Sequence, residues 1–86
     1  MKEIKVGKVI HYFSRIGVAA IELQEEIKAG DTVHFKGHTT DFSQEIQSMQ
    51  ISNQVVDKAG KGDKVGIKVK EKVREGDMLF RVIENE

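Results

Sequence analysis

The chain has 86 residues, with fourteen basic and fourteen acidic side chains and no cysteine. At this length one domain, residues 1–86, is expected, burying roughly 60–65% of its unfolded surface around a small core. Disulfides, thiolate metal centres and cysteine nucleophiles are excluded, and zero net charge provides no global field toward nucleic acid or membrane.

The predicted elements are strands. "EIKVGKVIHYF" places Ile4 and Val6 on one face, with a bulge or bend expected at Gly7. "IGVAAIEL" is a second apolar run, with Val18, Ala20, Ile21 and Leu23 as inward candidates. "DTVHFKG" alternates cleanly, Val33 and Phe35 against His34 and Lys36. "DFSQEIQSMQISNQVVDKAG" reads two ways. As a strand it aligns Gln47, Met49 and Ile51; as a helix capped by Ser43 it aligns Ile46, Met49 and Val56. "DKVGIKVKEKV" puts Val65, Ile67, Val69 and Val73 on one face and Lys64, Gly66, Lys68, Lys70 and Lys72 on the other. "DMLFRVIE" closes the chain with Leu79 or Phe80 inward. At least five short strands and no firm helix predict an all-β barrel or sandwich, and closure removes exposed edges.

Three Gly-Asp units punctuate the chain: "KAGDTVHFKG", "AGKGDKVGIKV" and "REGDMLFRVI". Each precedes a strand. Glycine supplies a positive φ without steric cost, and aspartate can accept hydrogen bonds from backbone amides as the strand begins. The second unit superficially suggests a phosphate cradle, but Lys61 lies between two glycines and the run enters a strand, not a helix. No "GxxxxGK[ST]" occurs, so no nucleotide is expected as a partner.

Between Lys58 and Arg74 seven basic residues face two acids, Asp63 and Glu71. On one strand face Lys64, Lys68, Lys70 and Lys72 would present charges at ~7 Å intervals, near the spacing of phosphates in single-stranded RNA. The alternative is a solvated outer face whose lysines discourage edge pairing. "HYFSR" adds a possible stacking group beside Arg15. One of Tyr12 and Phe13 must face inward, leaving Tyr12 as the exposed candidate. A metal would require His34, His38 and Asp41 to converge; polar loop roles are expected instead, and no metal or cofactor is assigned. Ser14, Ser43, Ser48 and Ser52 lack a nucleophile-elbow context, so no enzyme is expected.

The ordered set "IKAGDTVHFKG", "IQSMQI" and "AGKGDKVGIKVKEKVREGDML" resembles the second domain of elongation factor Tu-type translational GTPases, from Ile27 to Phe80. The resemblance implies a six-stranded, antiparallel, closed Greek-key barrel and a strand over "FSQEIQSMQISN". It places Gln50 and Lys68 at pocket positions that carry an acid and an apolar residue in that family. "VGKVIHYFSRIGVAAIEL" further resembles stand-alone translation-factor-like proteins, and is also similar to C-terminal barrels appended to collagenase-like peptidases. The expectation is a non-catalytic binding module without a GTPase domain. Its partner is expected to be RNA or a translation- or RNA-processing protein, bound through Lys64, Lys68, Lys70, Lys72, Arg15, Tyr12 and Gln50. The alternative is a protein-interaction module working with a separately encoded enzyme such as a peptidase. Without cysteines to staple a secreted domain, a cytoplasmic location is expected. No apolar run nears the ~20 residues of a membrane span, and "MKEIKVGKVI" lacks a signal-peptide apolar region, so no membrane partner is expected.

Overall fold

Alternating apolar residues build ten strands in the computed structural model, which describes residues 2–83. They are β1 (Lys2–Phe13), β2 (Val18–Leu23), β3 (Ile27–Lys28), β4 (Thr32–Lys36), β5 (Asp41–Glu45), β6 (Met49–Ile51), β7 (Gln54–Val56), β8 (Lys58–Ala59), β9 (Lys64–Lys68) and β10 (Met78–Ile83). No helix occurs among the described residues, so none is long and apolar enough to cross a membrane. Eight strands form one antiparallel sheet in the order β5-β4-β10-β1-β2-β9-β6-β7, while β3 pairs with β8 separately.

The all-β class stands, but the expected closed six-stranded barrel is not found. β5 and β7 end the sheet, and no ladder joins them among the described residues. Where β5 comes back toward the end of β9, a side chain replaces the ladder. Gln44 Nε2 donates to the Lys68 carbonyl at 2.8 Å, and its Oε1 accepts from the Lys70 N–H at 2.9 Å.

The core collects one face of each long strand. Val33 and Phe35, Val65 and Ile67, and Leu79 are buried as the alternation requires, and Phe35 stacks on Phe42 with ring centres 5.0 Å apart. Burying each such side chain stabilises the fold by about 1.5–3 kcal/mol. Two bulges reset the alternation in β1. Its register against β10 shifts between Lys5 and Gly7, as Gly7 led us to expect, and against β2 between Val9 and His11. A Cβ on Gly7 would lie 2.8 Å from the Glu22 carbonyl oxygen and Ile21 Cγ2, too close for any other residue without movement. Because each bulge adds a residue to one strand, every side chain beyond it changes face. Tyr12 therefore packs on the core while Phe13 points outward; Ile4, opposite Arg81, is exposed although Val6 is buried. In β2 the inward set is Ala19, Ile21 and Leu23, which turns Val18 and Ala20 to the other face.

"DFSQEIQSMQISN" is extended rather than helical, but it divides into β5 and β6 around residues 46–48, so Gln47 is exposed rather than aligned with buried Met49. β9 stops at Lys68, so Lys70 and Lys72 lie beyond the strand and the expected four-lysine row is not a strand face.

The three Gly-Asp units are one turn repeated. In Lys28–Asp31, Gly60–Asp63 and Arg74–Asp77 the aspartate N–H donates to the first residue's carbonyl at 3.1, 3.0 and 3.1 Å. The aspartate carboxylate accepts from the first residue's N–H at 3.0, 2.9 and 2.8 Å. Gly30, Gly62 and Gly76 take φ of 95, 89 and 92°, the third position of a type II turn, which favours glycine. Each turn then grips the main chain of one buried residue. Gly30 N–H donates to the carbonyl of Ile46 and the Asp31 carbonyl accepts its N–H; Gly62 and Asp63 hold Leu23 in the same way, and Gly76 and Asp77 hold Val9.

Candidate binding surface

Cross-strand register creates a shallow groove on the outer face of β2, β9 and β6. Ala20 pairs with Gly66, Gly66 with Gln50, and Gln50 with Val55, so these residues share one face. Ala20 and Gly66 are too small to fill the space above them. The hollow holds about 360 Å³ and is lined also by Phe13, Ile16, Val18, Ser52, Asn53 and Lys64. The floor is tight: a Cβ on Gly66 would sit 3.2 Å from Val18 Cγ1.

Two hairpin tips stand beside this floor. On the β1–β2 hairpin Phe13 is 46% and Ile16 62% exposed. The loop is held by Gly17 at φ 66°, whose N–H donates to the Phe13 carbonyl at 2.9 Å. On the β6–β7 hairpin Val55 is 69% exposed. Ser52 and Asn53 form its two-residue turn with φ of 51 and 66°, both left-handed as a type I′ turn requires. Large apolar side chains held out on short, geometrically constrained hairpins beside a small-residue floor suit recognition of a protein surface.

The sequence-predicted residues are spread over adjoining hollows. Gln50 and Lys64 line the groove. Arg15 and Tyr12 line a neighbouring depression with His11 and Ser14, although Tyr12 is anchored on the core and Phe13 is the exposed ring. Lys68 and Lys70 line a slot beside Gln44 and Gln47, and Lys72 is exposed outside all three hollows. Phe13 and Ile16 were missed because periodicity assigns apolar residues inward; their closeness to the turn at Gly17 was the available signal.

On another face His34 lies between two carboxylates. Its Nδ1 donates to Glu3 at 2.8 Å and its Nε2 to Asp41 at 2.5 Å, an arrangement that needs a proton on both nitrogens. The Asp41 hydrogen bond raises the His34 pKa most; partial burial opposes this, and Glu3 adds to the rise. Asp41 thus meets His34, but His38 joins neither contact, and the trio His34, His38 and Asp41 does not converge. Among the described residues no group of three or more His, Cys, Asp or Glu is arranged to hold a metal. Ser43 lies opposite His34 in the β4–β5 register, yet both imidazole nitrogens are already committed to carboxylates, so neither can take its proton.

No family model matches the chain. It is 40% identical over 80 residues to an uncharacterized protease of Methanocaldococcus jannaschii, covering 92% of this chain and 20% of that protein. It is 44% identical over 82 residues to a collagenase of Porphyromonas gingivalis, covering 93% and 20%. The chain therefore spans about a fifth of the length of the curated relatives it matches. In structure it is similar to the C-terminal domain of a putative U32 peptidase of Geobacillus thermoleovorans. The TM-score is 0.84 at 25% identity, covering 88% of this chain and 96% of that domain. A second crystal structure of that domain shares the fold with a TM-score of 0.86 at 24% identity, covering 92% of each chain. These findings overturn the translation-factor reading and the RNA-binding role attached to it. The motifs behind that reading are turns and strands, which report a fold rather than a partner. The likeness to domains appended to collagenase-like peptidases is the one the comparisons support.

Proposed function

We propose that this chain is a non-catalytic accessory domain that works with a peptidase unit and contacts it through the groove between the two hairpin tips. The observation that carries the reading is the match of nearly all of this chain to about a fifth of proteins named protease and collagenase. A segment of that size, with no paired nucleophile and base among the described residues, fits a positioning or docking role beside the chemistry.

The test is an exchange. The matching fifth of the Porphyromonas gingivalis collagenase is removed and this chain is supplied in its place, fused or added separately, with gelatin hydrolysis and calorimetric binding as readouts. The chain alone should hydrolyse nothing, while the truncated enzyme should bind it and regain activity. Hydrolysis by the isolated chain, or a truncated enzyme that neither binds nor responds to it, overturns the reading.

A further inference from the structure

The geometry points to the open seam between β5 and the end of β9 as a site that takes up an extended acidic peptide by main-chain pairing. The inference concerns a slot that shares no lining residue with the groove, and it stands without it.

Main-chain direction defines the seam. Ile46 spends its N–H and carbonyl on the β4 side, bonding the Asp31 carbonyl and the Gly30 N–H, each at 2.9 Å. Alternate residues of an extended strand point their polar groups to opposite edges, so Ser43 and Glu45 direct theirs to the free edge of β5. Across the seam, Val69 N–H donates to the Gly17 carbonyl at 2.9 Å, which turns the main chain of Lys68 and Lys70 the opposite way, toward β5. The Lys68 carbonyl and Lys70 N–H are the two groups that Gln44 occupies. A carbonyl at one residue and an N–H two residues on are what a single residue of a parallel strand engages. The Gln44 amide thus stands in for the N–H and carbonyl of one residue of a further strand.

The slot along this seam holds about 400 Å³ and is lined by Gln44, Glu45, Gln47, Ser48, Lys68 and Lys70. Two lysines against one carboxylate set the chemistry of the occupant. They discourage pairing with another basic edge and favour a strand carrying carboxylates. An incoming peptide replaces both bonds of the Gln44 amide with its own and gains the unpaired groups of Ser43 and Glu45, the mode known as strand addition.

The experiment follows backbone amide signals of the isotopically labelled full chain during titration with a short peptide alternating glutamate and valine. Shifts are expected at Ser43, Glu45, Lys68 and Lys70. Methylating alternate peptide nitrogens should abolish them, and replacing glutamate by lysine should weaken binding at least fivefold. Gln44→Ala removes the internal competitor, so affinity should rise roughly fivefold to 150-fold, as expected for losing two competing hydrogen bonds. If that variant disturbs the whole spectrum, Lys70→Glu decides instead, with an expected loss of at least fivefold. The inference is overturned by equal binding of the methylated peptide, by shifts confined to the Phe13 groove, or by Gln44→Ala leaving affinity unchanged or lower. It is also overturned if the same signals move with protein concentration alone, which assigns the seam to a second copy of the chain.

Discussion

Val9 and Asp77 are joined main chain to main chain: the Val9 N–H donates to the Asp77 carbonyl at 2.8 Å. The adjacent Gly76 N–H returns a bond to the Val9 carbonyl at 2.9 Å, beside the bulge that separates Val9 from His11 in the β1–β2 pairing. The third Gly-Asp turn therefore satisfies the Val9 main chain on the β10 side, just past the last ladder pair, Lys8 with Met78. Asp77 is only 5% exposed, and its carboxylate holds the turn through the Arg74 N–H at 2.8 Å.

Asp77→Ala removes a charge-assisted hydrogen bond from a buried turn, so a loss of about 1.5–3 kcal/mol is expected. Asp31→Ala, at a less buried turn, should cost less. Urea unfolding of the two variants checks the ranking, and equal losses would contradict it.

Gly37 packs directly on the same aspartate. A Cβ built there falls 1.9 Å from Asp77 Oδ1 and 2.6 Å from its Cγ. Gly37→Ala should destabilise by about 1–3 kcal/mol through overpacking. Combined with Asp77→Ala the total should fall clearly short of the sum, because the clash and the truncation share one site. A double-mutant cycle with additive costs refutes the contact.

His34 makes stability depend on pH in a defined direction. Its pKa is raised in the folded chain, chiefly by the Asp41 hydrogen bond. The contribution is therefore complete below the unfolded histidine value of about 6.5 and is lost as pH rises through the folded pKa. Unfolding curves at pH 6 and pH 8.5 should show this loss in the parent chain and not in His34→Gln. A variant with the same pH dependence as the parent would exclude His34 as its source.

The groove separates binding from folding. Phe13→Ser, Ile16→Ser and Val55→Ser truncate exposed side chains, so each should change stability by about 0.5 kcal/mol or less. If these residues seat a peptidase unit, each should weaken that association by about tenfold or more, which calorimetry reads. Tyr12→Ser should do the reverse, lowering the melting temperature because this ring packs on the core.

Much of this molecule is legible in its residues. Alternation in "DTVHFKG" and "DKVGIKV" names buried Val33, Phe35, Val65 and Ile67 correctly, because a strand between two neighbours has one inward face. The Gly-Asp pairs announce their turns, since a positive φ and a carboxylate acceptor are local demands. Gln50 and Lys64, read from the sequence as RNA contacts, line the groove, whereas Tyr12 and Phe13 exchange roles. A bulge at Val9–His11 inverts the face of all that follows it, and a bulge is settled by the partner strand and the turn that grips it. Sheet closure lies further from local pattern still. Gln44 meets Lys68 and Lys70 across separations of 24 and 26 residues. Local chemistry set the strands, the turns and most of the core. Long-range packing chose the phase of β1, the end of β9 and the open seam, because those depend on which main-chain groups meet when distant segments fold together.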